Sequence, residues 1–475
     1  MPRIILELAN NSKIYSVGQI FLKGFSIITL PIFTRILSVE DYGIVSLFMY
    51  ANAVFVVIYS MGIGQPINRY YYENKSDFGK FLSTALSFLF LFQTIVFFSG
   101  LFFLEYLENL FGISRNLLML AMFTSFFVPL VRVYQNLNIA MERSASYTKF
   151  QIVRRIVFFM GCITMIYLLP FESYYSRLLG ELFIIPFFVF TFVELLRLIE
   201  LDFSIKYIKY IFQIALPLFP VMVAGIIFGQ IDRVLINKYL GLTDTGLFSY
   251  AYAIGSLSGI FIVSIKSAWT PKFMHYIKEE GYALINTMTC LLVTVYCILT
   301  SMLILFCKEI SSMLAPNTFQ AAIIITPIIL FTSFFSYHES IYHDYIIFKK
   351  KLLYVISLTT IFTGLLKLGL NILLIPRFGY IAAAYSSLTC YIFSLTVIYW
   401  IAKYLIGEQI YKFRYSIGPF LMVVLSLLAF YILELFLDSM IIFIIVKIFS
   451  FTIIVIISFY LIKSNIKKVK NISSF

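Results

Sequence analysis

The chain has 475 residues, of which 61% are hydrophobic and only 12% are charged, and its mean hydropathy is +0.95. A soluble domain carries roughly 45–50% apolar and about 25% charged residues, so this composition excludes a soluble enzyme. Fourteen helices of about 20 residues would use about 280 positions and leave about 14 per connection, which excludes a folded extramembrane domain.

The net charge of +13 could serve nucleic acid or anionic lipid, and the placement of the 36 basic residues decides for the membrane. Cys162, Cys290, Cys297, Cys307 and Cys390 are scattered through apolar stretches with no CxxC pair, which points to packing and away from a disulfide framework or zinc site. Met1-Pro2-Arg3, followed by Asn10-Asn11-Ser12-Lys13, lacks a short apolar core with a small-residue cleavage site, so the first helix is expected to be retained.

Apolar runs of spanning length follow one another along the chain. The first, about 14–36, places Lys23 about 14 Å deep at 1.5 Å per residue, near the bilayer middle; it contains Pro31 and ends on Arg35. The second, about 43–64, follows Glu40-Asp41. A Tyr70-Tyr71-Tyr72 run then precedes the third, about 81–104, and is expected in an interfacial belt or, less directly, stacked on sugar rings. The fourth, about 117–138, holds Pro129 and Arg132; the fifth and sixth cover about 152–169 and 177–196, the latter with Pro186. The seventh, about 210–231, contains Pro217 and Pro220 and runs into Asp232-Arg233. The eighth and ninth cover about 246–268 and 283–306. The tenth, about 322–343, contains Pro327 and ends among His338, Glu339, His343 and Asp344. The eleventh, about 352–375, holds Lys367, and the rest lie at about 380–402, 416–436 and 441–462, with Lys447 near one end of the last, able to snorkel. The prolines are expected to kink their helices, Pro31 and Pro217 being the candidate hinges.

With the N-terminus inside, 25 basic residues fall in inner loops, Arg154, Arg155 and Lys266 among them, against seven in outer loops, which include Arg35, Arg177 and Arg233. The positive-inside rule therefore puts both termini in the cytoplasm, with Lys467, Lys468 and Lys470 in a tail suited to anionic lipid.

The chain also repeats itself. Leu37-Ser38-Val39-Glu40-Asp41-Tyr42-Gly43-Ile44-Val45-Ser46 aligns without gaps on Leu240-Gly241-Leu242-Thr243-Asp244-Thr245-Gly246-Leu247-Phe248-Ser249, an offset of 203. Pro170 and Tyr174 correspond in the same way to Pro376 and Tyr380 at an offset of 206. An even number of helices separates the copies, so the halves run in the same direction about an axis along the membrane normal. The expected architecture is all-α: about 14 transmembrane helices, in lobes 1–205 and 206–405 of six helices each, with two further helices and a basic tail in 406–475.

Gly18-Gln19, the run Leu30-Pro31-Ile32-Phe33-Thr34-Arg35-Ile36-Leu37-Ser38, Asp41-Tyr42-Gly43, Leu216-Pro217, Asp232-Arg233, Gly246-Leu247-Phe248-Ser249-Tyr250-Ala251, Asn371, Ile375-Pro376 and Gly379 with Ala382-Ala383-Ala384 carry a resemblance. Over about 400 residues the chain resembles the multidrug/oligosaccharidyl-lipid/polysaccharide exporter superfamily, and within it the polysaccharide repeat-unit flippases that include O-antigen flippases. The resemblance implies a two-lobed bacterial inner-membrane protein that opens alternately to each side. It would move an undecaprenyl-diphosphate-linked oligosaccharide to the outer leaflet for O-antigen, capsule or similar polysaccharide, beside polymerase and chain-length machinery. No catalytic chemistry or cofactor is expected; H+ or Na+ are candidate coupling ions. Many relatives have only twelve helices, so the last pair is a departure.

A lipid-linked sugar diphosphate asks for cations facing water. Lys23, Arg132 and Lys367 are the candidates for binding it, each with the alternative of a structural pairing with a carboxylate such as Glu181, Glu194 or Glu339. Arg35, Asp41, Asp232 and Arg233 stand at equivalent ends of the two repeats. They are expected either to meet the departing diphosphate or to form gating or structural pairs, Arg35 with Glu40 or Asp41 and Arg233 with Asp232 or Asp244. His338 and His343 are five apart, about 140° around a helix, and so cannot share a zinc site as HExxH does. A cation-coupled multidrug exporter would be expected to carry an acid in its first helix, and none lies between Ile14 and Ile36. A membrane polysaccharide polymerase or ligase would need a larger outer loop than those near 232–245 and 307–321.

Overall fold

In a computed structural model the described residues are 2–169, 171–350, 352–407, 410–436, 447 and 452, and every element among them is helical. Thirteen of the fourteen expected segments coincide with helices, and the fourteenth lies outside the described residues apart from those two positions. Among the described residues twelve helices are long and apolar enough to cross a bilayer, or up to thirteen with one bent pair taken as a single span. The chain divides into two compact units, Met1–Gly246 and Leu247–Phe475.

The first unit begins with α1 (Pro2–Ile36), α2 (Val39–Ser60) and α3 (Gly64–Glu73). Ser38 starts α2 with a capping box: its hydroxyl accepts from the Asp41 amide at 3.1 Å, and the Asp41 carboxylate accepts from the Ser38 amide at 3.0 Å. The α2–α3 turn needs left-handed backbone at Met61 (φ 42°) and Gly62 (φ 74°). The Glu73 carboxylate accepts from Arg69 Nε at 2.6 Å and from Tyr210 OH at 2.7 Å, bonds that hold it below the usual carboxylate range.

Next come α4 (Phe78–Phe102), the short α5 (Leu104–Phe111), α6 (Arg115–Ala140), α7 (Ser144–Leu168), α8 (Ser173–Leu179), α9 (Ile184–Leu196) and α10 (Ile205–Leu240). α4 is mostly apolar. Leu91, Ile95, Phe98 and Phe102 form an exposed stripe at helical spacing while Phe81, Leu82, Ala85 and Leu89 are buried, the pattern of a helix with one face to lipid. α10 packs within this unit on α2, α3 and α4. One core joins α3, α4, α6 and the start of α10 around Phe81, Leu130, Leu137 and Ile211; a second joins α2, α5 and α6 around Leu47, Tyr59, Phe111 and Leu118.

α11 (Leu242–Gly255) opens in the first unit and continues into the second, which holds α12 (Ser258–Lys278), α13 (Tyr282–Leu305), α14 (Cys307–Leu314), α15 (Thr326–Tyr345), α16 (Leu353–Phe378), α17 (Ile381–Ile406) and α18 (Ile417–Phe436). Its core runs through α13, α15, α17 and α18 around Tyr296, Phe334, Tyr342, Ile398 and Phe430. α18 repeats the lipid-facing pattern, exposing Ile417, Leu421, Leu425, Leu428, Ile432 and Leu435. The sequence repeat reappears in shape: the short helices α5 and α14 begin at Leu104 and Cys307, 203 residues apart, each directly after a long spanning helix.

Several expectations change. Tyr70 is no belt residue: it is 6% exposed and stacks on Phe81 at 3.9 Å between ring centroids, whereas Tyr72 stays outside and donates to the Ala140 carbonyl. Pro186 and Pro327 do not kink helix interiors. They sit in the first turns of α9 and α15, where the missing N–H costs nothing. The tenth segment bends by 50° between a 3-10 turn (Asn317–Ile324) and α15. Lys447 does not snorkel: it is buried, and its Nζ donates to both Glu309 carboxylate oxygens at 2.9 Å. All five cysteines are buried thiols.

Candidate functional site

α7 is uninterrupted from Ser144, so Arg154 and Arg155 are not loop residues: they lie about 15 Å along a helix at 1.5 Å per residue. Arg132 lies about 12 Å from the end of α6 that turns into α7, at a comparable depth. Three guanidiniums thus lie well inside helices long enough to span a core about 30 Å thick. Their charges act on one another, Arg154 lying in the field of Arg132 and Arg155 and also of Glu181. Arg132 is exposed, and Arg154 and Arg155 are half-buried.

Glu181 sits on the 3-10 turn Gly180–Phe183 between α8 and α9. Close approach there depends on glycine: a Cβ at Gly161 would strike the Phe183 ring, and one at Gly180 would strike Cys162. Glu181 accepts from Arg177 Nη1 at 3.3 Å. The Arg177 guanidinium lies over Phe33 and Phe158, 4.8 and 5.0 Å from their centroids. Three guanidiniums, Arg154, Arg155 and Arg177, therefore act on one carboxylate, and Arg132 acts on Arg154. Among the described residues no carboxylate comes within ion-pair distance of Arg132, Arg154 or Arg155; Glu181 pairs with Arg177.

α1 completes the site. Arg155 Nη2 donates to Ser26 Oγ at 2.9 Å. Arg154 Nη2 donates to Gln151 Oε1 at 3.2 Å, and Gln151 and Gln19 both donate to Tyr147 OH, at 3.3 and 3.4 Å. Gln19, Lys23 and Ser26 share one face of α1 at spacings of four and three, so Lys23 stands between two residues bonded to α7. Lys23 is exposed, with no polar partner among the described residues. The structure thus gathers Lys23 and Arg132 in one region with Arg154, Arg155 and Arg177. Lys367 is elsewhere, buried on α16 in the second unit, in a polar stripe with Thr359, Thr363 and Asn371.

The rim residues hold local contacts. Arg35 Nη1 donates to the Pro31 carbonyl at 2.9 Å, and Asp41 is engaged in its capping box. Glu40 accepts from Thr243 Oγ1 at 2.9 Å, a bond between positions equivalent in the repeat. Gly43 and Gly246 are equivalent too. A Cβ on Gly43 would strike the Leu242 carbonyl, and one on Gly246 the Val39 carbonyl. Asp232 and Arg233 are both buried, and the Asp232 charge acts on Tyr50 of α2. His338 is fully buried with its ring nitrogens 2.8 Å from the Phe334 carbonyl and Ser416 Oγ, apart from His343, which faces Glu339.

Sequence reading placed Arg154, Arg155 and Arg177 in loops because each stands at the start of its apolar run, where residue type does not separate a loop from the first turns of a helix. The usable signal was the lack of any Pro, Asn or Asp between Ser144 and Leu168, which leaves nothing to end a helix there.

These features define an all-α polytopic membrane protein with a cationic region within its spanning helices. Its fold is similar over 97% of the chain to a lipid II flippase, MurJ, in an inward closed conformation, with TM-score 0.68, 17% identity and 99% of that chain covered. It is also similar over 84% of the chain to an inward-facing multidrug resistance MATE family transporter of the MOP superfamily, with TM-score 0.58, 14% identity and 98% of that chain covered. An Lsg locus protein of Haemophilus influenzae is 22% identical over 285 residues, which are 58% of this chain and 68% of that protein. Residues 8–277 match the family described as polysaccharide biosynthesis protein, and the chain belongs to that family. The exporter-superfamily resemblance read from the motifs holds, and the solved structures named here are transporters, not enzymes.

Proposed function

We propose that this protein is a flippase that carries an undecaprenyl-diphosphate-linked oligosaccharide repeat unit from the cytoplasmic to the outer leaflet of a bacterial inner membrane, for O-antigen, capsule or a similar polysaccharide. The observation that carries this reading is an excess of cations within spanning helices: Arg132, Arg154, Arg155 and Arg177, with Lys23 one turn from Ser26, against Glu181 alone among the described residues. Such an excess in an apolar bundle is costly without an anion, and a diphosphate supplies one. Guanidinium offers paired donors to phosphate oxygens, while hydroxyl and amide groups such as Ser26, Gln19 and Gln151 suit a glycan. A carrier of cationic drugs would need the opposite sign of charge.

In this reading Lys23, Arg132, Arg154 and Arg155 bind the diphosphate in transit, and Lys367 is a further proposed binding residue. The six-helix lobes 1–205 and 206–405 alternate access, residues 406–475 are an appendix, and both termini are cytoplasmic. Arg35, Asp41, Asp232 and Arg233 act at the rim, a polysaccharide polymerase and chain-length machinery act downstream, and H+ or Na+ couples the cycle.

The test is lipid scrambling in proteoliposomes with a fluorescent polyprenyl diphosphate disaccharide, read by protection from an impermeant quencher. The chain should flip this probe and leave an uncharged polyprenol analogue in place. Equal flipping of both, or of neither, would sink the reading.

A further inference from the structure

The second unit holds an acid–base pair that binding an anion does not use. Glu339 and His343 stand one turn apart on α15, and His343 Nε2 lies 3.6 Å from Glu339 Oε1. Glu339 also accepts a short hydrogen bond from Ser394 Oγ of α17. The two side chains are only 14% and 24% exposed, and His343 Nε2 is shielded from solvent with no hydrogen-bond partner among the described residues.

The elements packed on α15 bring other ionisable groups, and each of these has its own partner or neighbour. α12 brings Lys266, whose Nζ donates to Asp344 Oδ1 at 2.9 Å and to the Ser340 carbonyl at 3.2 Å, and whose charge also acts on His343. α13 brings Cys297 and also Tyr296, which lies against Tyr337 and donates to Ser333 Oγ. α17 brings Tyr399, set edge-on to Tyr342. The approach to α18 brings Tyr411, bonded to Ser416, which in turn binds His338. The 3-10 turn before α15 brings none. Among the described residues, Ser394 and His343 are the polar groups that face the Glu339 carboxylate.

A carboxylate in apolar surroundings persists only with a counter-charge or a proton. Here His343 can offer a counter-charge only by taking up a proton itself. Both electrically neutral forms of the pair, carboxylic acid with imidazole and carboxylate with imidazolium, therefore contain one proton that the anionic form lacks. A hard cation fits poorly, because such ions take six or so oxygen ligands and the groups here are one carboxylate, one hydroxyl and one imidazole nitrogen.

We propose that Glu339 and His343 form a proton-binding site, loaded when α15 and α17 are packed as seen and emptied when they part. Separation would withdraw the Ser394 hydroxyl and admit water, which takes the proton as hydronium and leaves the carboxylate. Its use in coupling rests on the transporter reading, but proton binding itself does not.

The test is pH-difference infrared spectroscopy on the purified full-length chain in nanodiscs, without any lipid-linked glycan. A titrating carboxylic-acid carbonyl band should be present, lost in Glu339→Gln, and displaced in midpoint in both Ser394→Ala and His343→Gln. Persistence of the band in Glu339→Gln would overturn the site, as would an unmoved midpoint in the other two variants or displacement of the band by Na+ at fixed pH. Should Glu339→Gln fail to fold, the other two variants still decide. A titrating band in a chain that flips no lipid would keep this site and remove the flippase reading.

Discussion

Arg155 shows how one side chain can be both structural and available. It spends one donor on Ser26 of α1 and keeps others for a ligand, since guanidinium carries five. Arg155→Ala is therefore expected to slow flipping of the diphosphate probe about tenfold or more, following the roughly 1.5–3 kcal/mol of a hydrogen bond to a charged group. Arg155→Lys should recover only part of that rate, because an ammonium cannot present paired donors. Lys23→Ala should also slow flipping with little loss of protein from the membrane, since Lys23 makes no polar contact among the described residues that folding would miss. Rates within twofold for both alanine variants, at equal abundance, would remove these residues from the substrate path. The position of Arg155 was hidden from the sequence because residue type alone does not separate a basic loop from a basic turn within a helix.

At the scale of elements, the crossing of α2 with the start of α11 depends on two hydrogen atoms. Gly43 and Gly246 occupy equivalent repeat positions, and each lets its helix approach a backbone carbonyl of the other. The capping box of Ser38 and Asp41 fixes where α2 starts, and the Glu40–Thr243 bond closes the same contact. Gly246→Val should lower stability by about 1–3 kcal/mol, the usual cost of overpacking a tight contact. Gly225→Ala is the control: it lies inside α10 with no atom within 4 Å of an added Cβ, and it should leave the thermal midpoint unchanged or slightly raised. A midpoint in Gly246→Val equal to that of the control would show that the close approach carries no stability. The glycines were visible in the repeat, but their contact was not, because an aligned repeat does not say whether equivalent positions meet.

For the whole molecule, the proposed alternating access would require this crossing to open. Cysteines in place of Glu40 and Thr243 should form a disulfide under mild oxidation and stop flipping, with recovery on reduction. Flipping at the parental rate by the oxidised double variant would exclude a rocking motion about this contact. The native cysteines are buried, so the introduced pair reports without interference.

The amino-acid sequence by itself determined the helical class, thirteen helix positions, the repeated motif at an offset of 203 and the membrane setting. Each of these rests on hydropathy summed over about 20 residues or on identities at a fixed offset, and such averages tolerate local error. Tertiary structure alone decided which charges share a region. Arg154 and Arg155 became neighbours of Arg132 because α6 and α7 turn back on each other, and Glu181 joined them because Gly161 and Gly180 let a 3-10 turn press against α7. Lys367, Lys447 and Glu339 look alike in sequence as charges near apolar runs. Packing gave the first a place in a buried polar stripe, the second a carboxylate and the third a hydroxyl and an imidazole. The physical reason is range: burial and pairing act over a few ångströms between residues far apart in the chain, and no local pattern records that distance.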